Sequence, residues 1–222
     1  MPLLMCDLDD TLVERPPLFR AWAERFLAEG GYDPGLLEWL VEQDRGGHRP
    51  RPELLEELTA RVGYSVPVEQ FLEDQIQQVG GSYRLTPGVR SALDRARERG
   101  WSFAVVTNGP TRQQRLKVEA AGLHELADAV CVSEEVDAWK PDPEIFHEAA
   151  RRAGTTLDGA WMIGDNLDAD IAGAHGVGVR SVWVKRDDVW VPPDADTESG
   201  TEADLVAGDF PDAVRQVLSA TA

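Results

Sequence analysis

Pro2-Leu-Leu-Met-Cys-Asp7-Leu-Asp9-Asp-Thr11-Leu12 passes directly from a run of four apolar residues into three carboxylates. A short apolar run of this kind is typical of a strand buried on both faces of a parallel sheet. Asp7 would then lie at the carboxyl end of the strand, where open α/β sheets hold their ligands. Carboxylates this close repel one another unless they share a cation or a proton, and their oxygens suit Mg²⁺. A polar strand-to-helix turn, capped by Thr11 or an Asp, is the alternative interpretation.

The composition is that of a globular chain with a large acidic excess. The 222 residues suffice for one domain or two small ones, and a hydrophobic fraction of 42% is ordinary. A net charge of −18 argues against nucleic acid or an anionic membrane as a partner, because both attract cationic surfaces.

The apolar runs and the cysteines bear on location. We expect neither a signal peptide nor a membrane span, since no basic region precedes the first apolar run and no run approaches about 20 residues. Cys6 and Cys131 lie in apolar, strand-like runs without CxxC spacing. They are interpreted as buried thiols in a reducing compartment, so we expect a cytoplasmic protein.

The periodicity of the apolar residues changes at about residue 82. Between residues 14 and 82 they recur at spacings of three and four in four segments, without a strand-like run. From Thr86 onward, helix-like and strand-like segments alternate, which predicts βαβ units around a parallel sheet. The pairs Thr86-Pro87 and Asp142-Pro143 each place a capping residue before a Pro, as helix starts do.

The predicted fold is therefore α/β, with a Rossmann-like parallel sheet core, helices on both faces, and a small all-helical cap domain inserted after the first strand. The core would comprise residues 1–13 and 83–222, and the cap residues 14–82. Since the insertion starts directly behind the carboxylates, we expect it to act as a lid. The predicted elements after Thr86 are helices over 87–99, 111–121, 143–153, 169–174 and 211–218, strands over 102–107, 129–133, 160–164, 181–184 and 203–206, and a loop over 187–202.

Two later stretches carry groups that suit a phosphate. Thr107-Asn108-Gly109 follows a buried strand and offers a hydroxyl and an amide, although a capped turn would look the same. Lys140 stands alone among acidic residues and would neutralise charge during phosphoryl transfer, although an exposed Lys before a Pro is common in proteins.

Met162-Ile-Gly-Asp165-Asn-Leu-Asp168-Ala-Asp170 repeats the opening pattern of a buried strand followed by carboxylates. Asp165 is the natural third metal ligand. Asp168 or Asp170 would cap the next helix or support the ligands. Four strand ends thus carry Asp-x-Asp, Thr, Lys and Gly-Asp in order, and this joint arrangement favours one site.

Taken together, four motifs resemble those of the haloacid dehalogenase-like (HAD) hydrolase superfamily, in the subgroup with a helical, C1-type cap. The motifs are Asp7-Leu-Asp9-Asp-Thr11, Thr107-Asn-Gly, Lys140-Pro-Asp-Pro-Glu-Ile-Phe, and Gly164-Asp165 with Asp170-Ile-Ala-Gly-Ala. The resemblance covers residue 3 to about 184 in the catalytic part and is only general within the cap. Asp10, where many members have Gly, and Trp139 before the Lys are departures from the pattern.

The resemblance implies a Mg²⁺-dependent phosphatase that acts on a small phosphorylated metabolite. Asp7 would attack phosphorus to form an aspartyl-phosphate, and Asp9 would act first as general acid and then as general base. Asp7, the backbone carbonyl of Asp9, and Asp165 would hold the metal, with Asp170 in support. Thr107 and Lys140 would complete the phosphate pocket, assisted by Asn108.

Three alternatives stay open: a phosphomutase, a 2-haloacid dehalogenase, and a non-catalytic binding module. The dehalogenase is disfavoured because halide release needs no acid, whereas this chain carries Asp9 two residues after Asp7. The binding module is disfavoured because all the motif residues are intact. Neither the substrate nor the choice between monomer and homodimer follows from the sequence.

The segment Arg45-Gly-Gly-His48-Arg49-Pro-Arg51 is the most basic part of the predicted cap. Arg45, His48 and Arg49 are candidate contacts to an anionic substrate, and a solvated connection between helices is the equal alternative. Arg15 and Arg20 invite the same two interpretations. The histidines elsewhere share no metal-binding spacing.

Overall fold

The computed structural model describes residues 1–47, 49–186 and 203–221, and it contains one six-stranded parallel sheet. In chain order the strands are β1 (Leu3–Cys6), β2 (Ser102–Thr107), β3 (Ala129–Val132), β4 (Trp161–Gly164), β5 (Arg180–Val184) and β6 (Leu205–Ala207). Their order in the sheet is β3-β2-β1-β4-β5-β6, and each neighbouring pair is parallel. This is the strand order of the doubly wound Rossmann fold, as expected.

The first strand is central and buried on both faces. Successive side chains of a strand point to opposite faces, and all four residues of β1 are at most 1% exposed. Cys6 pairs with Val105 of β2 and with Ile163 of β4, so the three strands end at one edge of the sheet. The strand order reverses at β1, and open α/β sheets bind their ligands beside such a point.

In the described part of the chain, five α-helices lie between β1 and β2: α1 (Pro16–Gly30), α2 (Leu37–Asp44), α3 (Arg51–Val62), α4 (Val68–Val79) and α5 (Pro87–Glu98). The later helices are α6 (Thr111–Ala120), α7 (Ser133–Val136), α8 (Pro143–Arg152), α9 (Gly173–Gly176) and α10 (Phe210–Ala220), and a π-helical turn spans Leu167–Ala172. The helical insertion after the first strand is thus confirmed.

The described chain forms two compact units. Within the described residues, the cap unit is Glu14–Tyr83 with α1–α4, and the core unit is Met1–Val13 together with the described residues from Arg84 onward. The cap unit has its own apolar core, in which Trp22 stacks on Phe26 and meets the edge of Phe71, with ring centroids 5.3 and 5.4 Å apart. Aromatic residues at helical spacing account for this core.

Most predicted elements are confirmed, with bounds that differ by one or two residues. The helix predicted over 169–174 is different: the π-helical turn comes first and α9 follows. Winding begins early because the Asn166 side chain accepts hydrogen bonds from the backbone N–H groups of Asp168 and Ala169. The short helix α7 was not predicted, and the loop predicted over 187–202 lies outside the described residues.

Two further expectations concern the cysteines and the membrane. Cys6 and Cys131 are both buried and free, as predicted. Within the described ranges, the helices are too short or too polar to cross a bilayer.

Candidate active site

Asp7 directly follows the central strand and lies in the core unit. Its backbone N–H donates to the carbonyl of Ile163 at 2.9 Å, which extends the pairing with β4 by one residue. The residue is 8% exposed, and Lys140 Nζ donates to its Oδ1 at 2.6 Å. A carboxylate at a sheet edge is thus held directly against an ammonium group.

Lys140 uses all three of its hydrogen-bond donors. Nζ lies 2.6 Å from Asp7 Oδ1, 2.7 Å from Asp170 Oδ1 and 2.7 Å from the carbonyl oxygen of Val106. Its side chain is only 2% exposed. Because an ammonium group carries three N–H donors and no acceptor, this environment satisfies it completely.

Asn108 fixes the backbone at Lys140. Its Nδ2 donates to the Lys140 carbonyl at 2.9 Å, and its Oδ1 accepts from the Lys140 N–H at 2.8 Å. The amide therefore positions the lysine. The contact between Asn108 and a phosphate stays a prediction.

Three carboxylates converge beside this lysine. Asp7, Asp165 and Asp170 each offer an oxygen within 4.8 Å of the others, and we call them the carboxylate cluster. Thr11 Oγ1 lies 3.5 Å from Asp165 Oδ1, and Trp183 Nε1 donates to the Asp165 carbonyl at 2.9 Å. Carboxylate oxygens are the hard ligands that Mg²⁺ prefers, so the chemistry of this donor set suits the ion.

The charges of the carboxylate cluster are only partly balanced. The pKa of Asp7 is raised to about 7, mainly by burial and also by Asp170, against the opposing effect of Lys140. Burial and the neighbouring Asp7 raise the pKa of Asp165 well above its usual range. Burial alone would lower the pKa of Lys140, but Asp170 and Asp7 outweigh it and raise the pKa. The site thus favours one more positive charge.

Asp170 reaches Lys140 because Gly164 leaves room for it. A Cβ at Gly164 would lie 2.2 Å from Asp170 Oδ2, well inside van der Waals contact. The second oxygen of Asp170 also accepts from the backbone N–H of Asn166 at 3.1 Å. A side chain at position 164 would therefore displace Asp170 from the lysine.

We predict that Gly164→Ala weakens Mg²⁺ binding about tenfold or more, because it displaces one carboxylate of the cluster. The measurement is isothermal titration calorimetry with MgCl₂. Gly176→Ala is a matched control, since a Cβ there meets nothing within 4 Å. Equal Mg²⁺ affinity in Gly164→Ala and wild type would contradict the steric role of Gly164.

Asp9 belongs to a second group of residues, which also contains Thr107, Gln114 and Lys117 and which we call the Asp9 network. Lys117 Nζ donates to both Asp9 oxygens, at 2.8 and 2.6 Å. Gln114 Nε2 donates to Asp9 Oδ2 at 3.1 Å and to Thr107 Oγ1 at 2.6 Å. The Asp9 carboxylate is thus bound apart from the carboxylate cluster. Its backbone carbonyl as a metal ligand stays a prediction.

Gln114 and Lys117 were not predicted from the sequence. They lie three residues apart on α6 and are 2% and 3% exposed. The signal available was their spacing, because residues at i and i+3 share a helix face and the neighbouring Val118 places that face in the core. A Gln or a Lys on a helix usually lies at the surface, so the sequence alone does not single these two out.

The basic segment of the cap unit has acidic and polar partners within that unit. Arg15 and Arg51 both bind the buried carboxylate of Asp44, with contacts of 3.0 and 2.6 Å. Burial would raise the pKa of Asp44, but the two arginines lower it below its usual range. Arg49 donates to Gln43 and to Glu57.

Arg45 adopts the left-handed conformation directly after α2, with φ of 50°. His48 lies outside the described residues. Substrate binding by Arg45, His48 or Arg49 therefore stays a prediction. Arg20 forms an exposed ion pair with Glu38.

The site and the fold together define a hydrolase of the α/β class with an inserted helical cap. The model of the haloacid dehalogenase-like hydrolase family matches residues 1–178. The chain belongs to this family, which confirms the resemblance of its four motifs.

Three similar proteins illustrate the relationship. Phosphoserine phosphatase of Thermus thermophilus is 32% identical over 84% of this chain and 89% of its own length. Glyceraldehyde 3-phosphate phosphatase of Methanopyrus kandleri is 40% identical over 82% of this chain and 83% of its own length. The HAD phosphatase of Thermococcus onnurineus has the same fold, with a TM-score of 0.69, 24% identity and 98% of both chains covered.

Proposed function

We propose that the chain is a Mg²⁺-dependent phosphatase that hydrolyses a small phosphorylated metabolite through an aspartyl-phosphate on Asp7. The observation that carries this proposal is the surroundings of Asp7. Its carboxylate lies at the end of the central strand with Lys140 Nζ 2.6 Å away, and a separately held carboxylate, Asp9, follows two residues later. One carboxylate is placed to attack, and the other to transfer a proton.

The first step is phosphoryl transfer to the enzyme. A carboxylate oxygen of Asp7 bonds to phosphorus, and the bond between phosphorus and the ester oxygen of the substrate breaks. Asp9 gives its proton to the departing oxygen, so that an alcohol leaves. Lys140 neutralises negative charge beside the nucleophile, and the Thr107 hydroxyl donates to a phosphate oxygen.

The second step regenerates the enzyme. Asp9, now a carboxylate, takes a proton from water, and the water oxygen bonds to phosphorus. The bond between phosphorus and the Asp7 oxygen breaks, which frees inorganic phosphate and restores the Asp7 carboxylate. The sum of the two steps is hydrolysis of a phosphate monoester, with Asp9 returned to its acid form.

Asp7, Asp165 and Asp170, with the backbone carbonyl of Asp9, would hold Mg²⁺. When bound, the ion would screen the charge between phosphate and carboxylates and orient the phosphate. The carboxylate cluster supports this assignment because its three oxygens lie within 4.8 Å and Lys140 neutralises only part of their charge.

The similar proteins support a small substrate without selecting one. Two are named for different phosphate monoesters, phosphoserine and glyceraldehyde 3-phosphate. Because a shared fold does not determine the substrate, neither substrate can be transferred to this chain from the name of a similar protein. A phosphomutase would use the same first step and return the phosphoryl group to a sugar hydroxyl.

The experiment is Mg²⁺-dependent release of inorganic phosphate across a panel of phosphorylated metabolites, with Asp165→Asn as the comparison. We expect release that requires Mg²⁺ and falls strongly in the variant. A wild-type protein that binds Mg²⁺ yet releases phosphate from no compound would contradict the proposal. Transfer to a sugar hydroxyl would instead identify a phosphomutase.

Binding of Mg²⁺ is expected to weaken as the pH falls below about 7. The metal-free pKa of Asp7 is raised to about 7, so the carboxyl group is protonated below that pH and must lose its proton to bind the ion. One competing proton weakens the apparent affinity about tenfold per pH unit. The raised pKa of Asp165 strengthens the trend.

Calorimetric titration with MgCl₂ between pH 5.5 and 8 measures this effect, and Asp7→Asn provides the comparison. The variant should bind Mg²⁺ more weakly at pH 8 and depend less on pH. An affinity for wild type that is equal at pH 5.5 and pH 8 would rule out proton competition at the cluster.

A further inference from the structure

The Asp9 carboxylate receives three hydrogen bonds from one face of α6. Two come from Lys117 Nζ, at 2.8 Å to Oδ1 and 2.6 Å to Oδ2, and one comes from Gln114 Nε2, at 3.1 Å to Oδ2. Both oxygens are engaged, so the plane of the carboxylate is fixed as well as its position. The Asp9 side chain nevertheless keeps 25% of its surface exposed, whereas that of Lys117 keeps 4%.

Gln114 connects Asp9 to Thr107. Its Nε2 carries two hydrogens, and the two acceptors it reaches are Asp9 Oδ2 and Thr107 Oγ1. Because Thr107 Oγ1 accepts this bond, its own hydrogen is directed elsewhere. Among the described residues the Thr107 hydroxyl donates to no acceptor, although the residue is only 1% exposed. The hydroxyl is thus oriented to donate to an oxygen that the described residues do not supply.

Gly109 makes room for this arrangement. It adopts φ of 148°, and a Cβ there would lie 3.0 Å from Gln114 Cγ. The turn after β2 therefore allows α6 to bring Gln114 close to Thr107. The segment Thr107-Asn-Gly109 and the face of α6 that carries Gln114 thus jointly determine the position of the Thr107 hydroxyl.

Burial of Lys117 has little value for stability by itself. An ion pair taken out of water recovers its desolvation cost only with good geometry, and apolar residues often serve stability equally well. The chain contains three lysines among its 22 Lys and Arg residues, and two of the three, Lys117 and Lys140, contact the carboxylates of the site. A compact ammonium group at Lys117 and at Lys140 indicates a functional role in addition to packing.

We infer that Lys117 and Gln114 are positioning residues for the proton transfer made by Asp9, and that Gln114 also aims the Thr107 hydroxyl at the phosphate. The inference rests on the proposed phosphatase function and deepens it. Both residues act through the side chains of Asp9 and Thr107, and neither is assigned a contact with the phosphate ester itself. Lys117 holds the Asp9 carboxylate beside the leaving oxygen. Gln114 fixes the position of that carboxylate relative to the Thr107 hydroxyl, which binds the phosphate.

The test compares two phosphate esters that differ in their need for an acid. A primary alkyl phosphate needs a proton on its leaving oxygen, whereas 2,4-dinitrophenyl phosphate does not. The quantity compared is kcat/KM, because it covers the steps up to departure of the leaving group. Lys117→Met should lower kcat/KM about 100-fold for the alkyl ester, within the range of general acid catalysis, and only about threefold for the dinitrophenyl ester.

Gln114→Met is the second variant, and it keeps the test decisive if Lys117→Met does not fold. It should lower kcat/KM for the alkyl ester about tenfold, and raise KM for both esters because the Thr107 hydroxyl loses its orientation. Arg115→Met and Gln113→Met are matched controls on the same helix. Arg115 pairs with Glu135, outside the Asp9 network, and both controls should retain wild-type kcat/KM.

A spectroscopic measurement tests the contact without activity. Three lysines give three signals in a protein labelled with ¹³C at lysine Cε, and Lys→Met variants assign them. Asp9→Asn should shift the Lys117 signal and leave that of Lys185 in place.

Two results would overturn the positioning role. One is that Lys117→Met lowers kcat/KM equally for the two esters, and the other is that the Lys117 signal stays in place in Asp9→Asn. A wild-type protein that binds Mg²⁺ yet releases phosphate from neither ester, and from no compound of the metabolite panel, would overturn the proposed function itself. Because the two failures look different, one experiment separates them.

Discussion

Asp7→Asn is expected to abolish phosphate release, with kcat lowered at least about 10³-fold. The substitution preserves the shape of the side chain while it removes the proposed nucleophilic oxygen. It also removes one charge from the carboxylate cluster of Asp7, Asp165 and Asp170. The measurement is the initial rate of phosphate release at saturating Mg²⁺ and substrate.

Asp168→Asn is the control for this prediction. Asp168 is an exposed carboxylate in the π-helical turn that carries Asp170, so the variant removes the same charge from a nearby surface. It should keep the wild-type rate. Residual activity of Asp7→Asn above a few per cent of wild type would exclude Asp7 as the nucleophile.

Lys140→Met is expected to lower kcat about 10²-fold or more, the second largest effect. Without the ammonium group, the carboxylates of Asp7 and Asp170 lose their shared cation, and the pKa of Asp7 rises further above 7. At neutral pH the nucleophile would then be mostly protonated, and negative charge beside the phosphate would not be neutralised. Initial rates at pH 7.5, over a range of Mg²⁺ concentrations, measure the effect.

Lys140→Arg should not restore activity. Nζ of Lys140 uses its three donors on three acceptors at 2.6 to 2.7 Å, a geometry that a planar guanidinium cannot reproduce. Lys185→Met, at an exposed lysine, is the matched control and should leave the rate unchanged. Wild-type activity in Lys140→Arg would show that only a positive charge is needed there.

Much of the fold follows from local signals in the sequence. The run Leu3–Cys6 predicts a strand buried on both faces, because the strands of a parallel sheet covered on both faces are nearly continuous in apolar residues. Thr86 and Asp142 predict helix starts, and in the structure both side chains accept from backbone N–H groups within the first turn. These signals depend on neighbours a few residues away.

The contacts within the site are less predictable because they join distant parts of the chain. Lys117 and Asp9 are 108 residues apart, and a Lys on a helix usually lies in water. Asp170 reaches Lys140 only because a π-helical turn and a bare Gly164 bring it there. The strand ends predicted a shared site, but the partners of each side chain required the tertiary structure.

The basic cap segment shows the same limit. The sequence shows Arg45, Arg49 and Arg51 within one segment that contains no acidic residue, which suggests an anionic ligand. The structure shows Asp44 of the same unit bound by two arginines, Arg15 and Arg51. An acid just ahead of a basic run is a common surface feature, so its burial could not be anticipated.

The covalent aspartyl-phosphate is the central claim, and rapid acid quenching during turnover tests it most directly. Digestion and mass spectrometry of the quenched protein locate any phosphoryl group on a peptide. We predict one phosphoryl group on Asp7, which forms at least as fast as phosphate is released and is absent in Asp7→Asn. Phosphate release at full rate with no phosphorylated peptide, or with the phosphoryl group on another residue, would contradict the account.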